Sequence, residues 1–312
     1  MRADQPPAAA ALWREPPAKP VTSAQEVHVW RTFLDRSPDE VELLGSLLSH
    51  DEHHRAERLI FPEDRQRFIV ARGSLRTILS RYLSIAAVDI HFEYGLHGKP
   101  QLSPELAQPL YFNLSHSANL ALVSVTGLGA TGIDIEQLSP DFPCIQIARG
   151  FFSPTEIEEL GRLPTAEHCS AFFRCWTRKE AFIKATGKGL SLPLDQFDVT
   201  LAETATLLST AWDRDEAAQW SLHTLDAACG FAASLAVRGH GYSLHCWTFD
   251  QPFLPSTVPG QLLPVQIHRT VLEVAGDKYT GLCRVARRLP DTGIGSDTGC
   301  CCNALHHLKS DA

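Results

Sequence analysis

The apolar period of this chain switches from 3.6 to 2 and does so twice, which constrains the fold more than any other feature. Over residues 63–83, Phe68, Ala71, Leu75, Ile78, Leu79 and Tyr82 recur at helical spacing. Arg65, Arg67, Arg72, Arg76 and Arg81 fill the remaining positions, so the segment reads as a long helix with a basic, solvated side. Ahead of it, Ser37-Pro38-Glu40 and Ser49 with Glu52 have capping spacing and predict two short helices. Residues 90–94, 110–115, 120–125 and 132–136 then read as strands, with connections short enough for an antiparallel meander.

The same order follows again. A capped helix starts at Ser153-Pro154-Glu156, and a second runs over about 166–186 to a stop at Gly187 and Gly189. Strand-like runs occupy 197–201, 220–225, 231–237 and 242–247. Helices followed by strands, twice, predict an α+β fold of two similar halves. The expected division is a flexible, Pro- and Ala-rich lead-in over 1–24, an N-terminal half over 25–132 and a C-terminal half over 133–250. Prolines at 252, 255, 259 and 264 begin a linker and a mostly disordered extension over 251–312.

Composition excludes several classes. A formal charge of -8 argues against a general nucleic-acid binder, whose affinity comes from Lys and Arg on phosphates. No run approaches the about 20 apolar residues of a membrane span, so a cytoplasmic protein that does not engage a membrane is expected. The nine cysteines are an odd number and mostly scattered, as in a reducing compartment. Cys300, Cys301 and Cys302 with His306 and His307 could be a metal site, but adjacent cysteines lack tetrahedral zinc spacing. Gly127, Gly129 and Gly132 have the spacing of a dinucleotide fingerprint, which would make the chain a nicotinamide-dependent oxidoreductase. That motif needs a helix after its third glycine. Here IDIE follows and reads as a strand, so a turn using Gly for positive φ is the better reading.

Two segments carry chemistry. In GIDIE, Asp134 and Glu136 are two apart, so a strand aims both at one face. Like charges that close call for a cation. In WTRKEAFIK, Glu180 and Lys184 are four apart and stack on a helix, a spacing that alone is an ordinary surface pair. Three carboxylates beside a lysine suit Mg²⁺, which takes oxygen ligands and shares them with substrate phosphates. Trp176, one turn before Glu180, reads as core, and His53, His54 and His91 read as surface.

With HGKP at 97–100 and FNLSHS at 112–117, the order GKP, FNLSHS, GIDIE, WTRKEAFIKATGKGLSLPL resembles the 4′-phosphopantetheinyl transferases of the long, two-halved Sfp type. The resemblance spans roughly 27–247. It implies two pseudo-symmetric α/β halves, each a small antiparallel sheet with a long helix, and an active site in the cleft between them. It also implies Mg²⁺-dependent transfer of phosphopantetheine from coenzyme A to a serine of an acyl, peptidyl or aryl carrier protein, releasing 3′,5′-ADP. By the same resemblance, Asp134, Glu136 and Glu180 match the metal ligands, Lys184 a phosphate contact, and Glu180 the group that deprotonates the serine, directly or through a metal-bound water. Lys99, Ser115 and His116 match residues at the coenzyme's nucleotide end, and Arg55 and Arg67 two further cations. A family lysine is replaced by Glu52, which the capping spacing explains. A monomer is expected, and a noncatalytic coenzyme A or carrier-binding module is the other reading. An acidic carrier would need a local apolar or basic patch on this enzyme, expected around Arg174, Arg178 and Lys188.

Overall fold

The computed structural model describes residues 13–23, 25–103 and 109–250. In chain order the elements are β1 (Glu26–Phe33), α1 (Pro38–Gly45), α2 (His50–Glu57), α3 (Pro62–Leu83), β2 (Phe92–Tyr94), β3 (Pro100–Leu102), β4 (Tyr111–Ser117), β5 (Leu120–Thr126) and β6 (Thr131–Gln137). There follow α4 (Cys144–Phe151), α5 (Pro154–Arg162), α6 (Thr165–Thr186), β7 (Phe197–Val199), β8 (Leu207–Thr210), β9 (Trp220–Thr224), β10 (Phe231–Arg238) and β11 (Ser243–Thr248). This is a mixed α+β fold, as expected.

Local chemistry fixes the helix ends. Ser37 with Glu40 and Ser153 with Glu156 form reciprocal capping boxes, each followed by a proline that lacks the N–H a first turn would leave unpaired. Helix α6 stops at Gly187, whose φ of 69° is the left-handed region where a Cβ would be strained.

Two sheets carry the molecule, in the orders β11-β1-β5-β4 and β6-β10-β9. The expected meander through β6 is therefore wrong. Strands β4 and β5 pair antiparallel, but β6 leaves for β10, and β11 returns to lie parallel to β1. The boundary expected after residue 132 falls inside β6. Alternation along β6 explains its position: Ile133 and Ile135 enter a core shared with Val27, Val29, Leu122 and Leu235, while Asp134 and Glu136 take the other face. A second core of Trp30, Leu75, Ile78, Leu79, Leu114 and Val123 packs α3 on the first sheet. Each such side chain contributes about 1.5–3 kcal/mol of transfer free energy when fully buried.

The solvated basic side expected for α3 is also corrected. Arg72 and Arg76 are 3% and 1% exposed because Glu52, fully buried, accepts from both, at 3.0 and 2.6 Å. Arg76 further donates to the carbonyls of Ala87 and Ile90. Buried charge persists only when paired in this way. Glu52 also accepts from the Ser49 N–H, so its capping role is real but secondary.

Packed chain begins ahead of Val27. Arg14 bridges to β11 through the Cys246 carbonyl and the Thr248 N–H, and the Arg31 guanidinium lies 4.6 Å from the Trp13 ring. Trp176 stacks on Phe172 in the core, and His53, His54 and His91 are exposed, as expected. Strand β6, and no helix, follows Gly132, which removes the dinucleotide reading. Gly129 has the positive φ of the turn, at 145°; Gly132 serves a different purpose, given below. Among the described residues no helix is long and apolar enough to cross a membrane. The Cys300–Cys302 triplet, His306, His307 and the whole of 251–312 lie outside the described residues.

Candidate active site

Gly132 brings strand and helix together. A Cβ built there would meet the Ala181 carbonyl oxygen at 2.1 Å and the Ala185 nitrogen at 2.3 Å, both backbone atoms. Only glycine lets β6 approach α6 so closely. Asp134, two residues on, points to the same side, and Lys184 Nζ reaches its Oδ1 at 2.7 Å. The i,i+4 reading of Glu180 and Lys184 as a mere surface pair therefore fails, since the lysine is turned to the strand.

Strand β4 supplies the other wall. Strands β4 and β6 belong to different sheets yet run side by side in the same direction, joined by side chains instead of a backbone ladder. Asn113 Oδ1 accepts from the Ile133 N–H at 2.8 Å; Ser115 Oγ donates to Asp134 Oδ1 at 3.0 Å; Ser117 Oγ donates to Glu136 Oε2 at 3.1 Å and accepts from the Gln137 N–H at 3.0 Å. These β4 residues alternate along one strand face, as a period of two requires. Lys184 Nζ also donates to Ser115 Oγ at 3.0 Å.

Electrostatics at this seam is unbalanced. Burial raises the pKa of Asp134, against the opposing pull of Lys184 and its hydrogen bonds. Burial, and then the neighbouring charge of Asp134, hold Glu136 well above the usual carboxylate range. Burial disfavours the Lys184 ammonium, but Asp134 and Glu180 outweigh it and raise its pKa. Asp134 Oδ2 is buried without a hydrogen-bond partner. A partnerless buried carboxylate oxygen, beside a second carboxylate two residues away, is a donor set that fits a hard divalent cation. Among the described residues no three acidic, His or Cys side chains converge on one point, the Lys184 ammonium being seated on Asp134 instead.

Beyond Lys184 opens a cationic pocket, lined among others by Arg55, Arg72, His97, Lys99 and Lys184. Lys99 Nζ donates to the carbonyls of Thr131 and Lys184, so it ties the start of β6 to the end of α6. Burial and the charge of Lys184 push its pKa down to about 8. Arg55 stacks on the Tyr94 ring at 4.3 Å, and Tyr94 Oη accepts from Arg72 at 2.9 Å.

The structure thus gathers Arg55, Lys99 and Lys184 in one pocket, and Ser115, Asp134 and Glu136 at the adjoining seam. Arg67 and His116 are not among the residues lining the pocket. Arg67 is instead paired with Asp35 at 3.1 Å, and strand alternation sends His116 to the face of β4 opposite Ser115. Sequence reasoning missed Arg72 and His97. Position 97 stood inside HGKP, and Arg72 was hidden among five arginines of one helix.

Of the three residues around which a docking patch was expected, Arg178 cannot reach a partner's surface. Arg178 is fully buried and spends its guanidinium on the carbonyls of Thr200, Ala202 and Glu203 and the Thr224 hydroxyl. Arg174 donates to the Leu201 carbonyl and pairs with Glu203. Of the three, Lys188 lies over the Trp212 ring at 5.3 Å.

Known proteins share these segments. Residues 130–238 match the model of the 4′-phosphopantetheinyl transferase superfamily, and residues 34–127 that of the 4′-phosphopantetheinyl transferase N-terminal region. The chain is 39% identical over 239 residues to the 4′-phosphopantetheinyl transferase HetI of Nostoc sp., a match covering 76% of this chain and 98% of that protein. It is 35% identical over 175 residues to the 4′-phosphopantetheinyl transferase Sfp of Bacillus subtilis, covering 55% of this chain and 76% of that one.

Proposed function

The chain belongs to the 4′-phosphopantetheinyl transferases, enzymes that transfer phosphopantetheine from coenzyme A to carrier proteins, and we propose that the β4–β6–α6 seam is its reaction centre. The observation that carries this reading is Asp134 Oδ2, buried without a hydrogen-bond partner, on a carboxylate whose other oxygen is held by Lys184 of the cationic pocket.

In this reading Asp134, Glu136 and Glu180 hold Mg²⁺, which when bound neutralises charge on the coenzyme A pyrophosphate. Arg55 and Lys99 hold the phosphates of the nucleotide end from one side of the pocket, Ser115 is a further contact beside Lys184, and His116 and Arg67, outside the pocket lining, are contacts of the part of the coenzyme that extends beyond it. The carrier serine oxygen attacks the β-phosphorus. The phosphorus–oxygen bond to the departing 3′,5′-ADP breaks, and the serine proton passes to Glu180. Lys184, released from Asp134, donates to the phosphate oxygens as negative charge grows on the leaving group. Most of the acceleration comes from positioning and charge neutralisation, since phosphoryl-type transfer asks little covalent chemistry of the protein.

The substrates proposed are apo acyl, peptidyl or aryl carriers, met in the cytoplasm by a monomeric enzyme. The test is to mix the protein with a panel of apo carriers, coenzyme A and Mg²⁺ and weigh each carrier by mass spectrometry. A gain equal to one phosphopantetheine, dependent on Mg²⁺, is expected. No gain on any carrier sinks the substrate reading, and an equal gain in the presence of a chelator sinks the metal reading.

A further inference from the structure

We propose that Ser117, to which no role in binding or catalysis has been given above, is the positioning residue that aims Glu136 at the metal ion; the inference rests on the metal reading of the seam. A serine hydroxyl has one proton to give and two lone pairs to accept with. At Ser117 both uses are committed. The Gln137 N–H donates to its Oγ at 3.0 Å, and its own proton goes to Glu136 Oε2 at 3.1 Å. The backbone bond orients the hydroxyl, and the hydroxyl then orients the carboxylate.

The need for such a residue follows from the break between the sheets. In a continuous sheet the outward N–H groups of β6 would be met by carbonyls of the next strand. Here β4 lies beside β6 without a backbone ladder, and the side chains of Asn113 and Ser117 accept the Ile133 and Gln137 N–H groups. Ser117 is 4% exposed and Glu136 is 7% exposed, so water competes poorly for either group. Asp134 has two holders, Lys184 and Ser115. Glu136 Oε2 accepts from the Ser117 hydroxyl, a bond that fixes this one oxygen of the carboxylate. A carboxylate on a long, rotatable side chain binds an ion well only if its orientation is set beforehand, and hydrogen bonds to ligating carboxylates carry about 10–100-fold of metal affinity.

The experiment measures Mn²⁺ binding to the full chain by electron paramagnetic resonance, without coenzyme A or carrier, in wild type and three variants. S117A is expected to weaken Mn²⁺ by about tenfold or more. S117C keeps the shape of the side chain, with a larger sulfur that is only a weak donor, and is expected to weaken it too. S117T keeps the hydroxyl and is expected to bind within about threefold of wild type. Should S117A not fold, S117C carries the same test. Wild-type protein that binds no Mn²⁺ overturns the metal reading itself. Wild-type protein that binds Mn²⁺ while a folded S117A or S117C binds it equally well overturns the role of Ser117 alone, as does an S117T that loses as much as S117A.

Discussion

Lys184 Nζ lies 2.7 Å from Asp134 Oδ1, an ion pair that locks helix α6 onto strand β6 through the candidate active site. The carboxylate proposed to hold the metal ion is therefore also a structural tie between helix and strand.

Asp134→Ala is expected to cost twice. Transfer falls by about a thousandfold or more, the several kcal/mol that Lewis-acid stabilisation supplies. Stability falls by about 1–3 kcal/mol, because a partly buried ammonium loses its closest partner. Glu180→Ala is expected to stop transfer while the protein stays folded, with a smaller loss of stability than Asp134→Ala because Asp134 still holds the Lys184 ammonium. Mass-spectrometric rates and thermal melts separate the two; a wild-type rate in either variant refutes its assignment.

Glu136→Gln is expected to stabilise the protein while abolishing transfer. Burial and Asp134 raise the folded pKa of Glu136, so its ionised form is disfavoured and stability falls as pH rises from the unfolded value through the folded one. The neutral amide avoids that penalty. A gain of about 1 kcal/mol, roughly 2–4 °C in a metal-free melt at pH 7.5, is the expected size. An unchanged or lower melting temperature counts against it.

Gly132→Ala should be far worse than a Gly→Ala change at a strained turn. The new methyl meets the Ala181 and Ala185 backbone, which cannot rotate away, so β6 and α6 must part. A loss of about 1–3 kcal/mol is expected together with reduced transfer, since Asp134 moves from Lys184. A variant as stable and active as wild type would show that the close approach is dispensable.

Coenzyme A affinity should weaken as pH rises through about 8. Burial lowers the pKa of Lys99 to about 8, so above that pH the pocket loses a cation. Binding a phosphate restores the charge, so calorimetry at pH 8.5 in buffers of different ionisation enthalpy should report proton uptake. Folding shows the opposite sign: between about 8 and the unfolded value of 10.5 the unfolded chain binds a proton that the folded one does not, so Lys99 adds stability as pH rises. Lys99→Met should flatten both dependences. Persistence of the binding profile in that variant would remove Lys99 from the site.

How much of this could be read in advance depended on whether the period of a segment survived its environment. GIDIE was legible because one face of β6 is apolar core and the other polar, and α6 was legible because Glu180 and Lys184 stack at one turn. Strand β1 was missed. It is central, between β5 and β11, and buried on both faces, so Val27, His28, Val29 and Trp30 show no alternation. Helix α4 follows Pro143 without a Ser, Thr, Asp or Asn cap, so nothing marks its start. Arg72, Arg76 and Arg178 were misread for a shared reason: their partners, Glu52 and the carbonyls after Val199, are distant in sequence, and an arginine destined for the interior looks like any other. Ser117 was invisible as a functional residue because its partner lies on a strand of another sheet.

Strand β11 pairs with β1 along Glu26↔Ser243 to Arg31↔Thr248, joining the first to the last strand among the described residues. During synthesis on the ribosome, β1 can be met on one side once β5 has emerged, but its other edge must wait for nearly all of the described chain. A nascent chain halted before β11 would present that edge to any neighbouring strand, so chaperone dependence and aggregation should track the arrival of β11, well after the GIDIE and WTRKEAFIK segments have been translated.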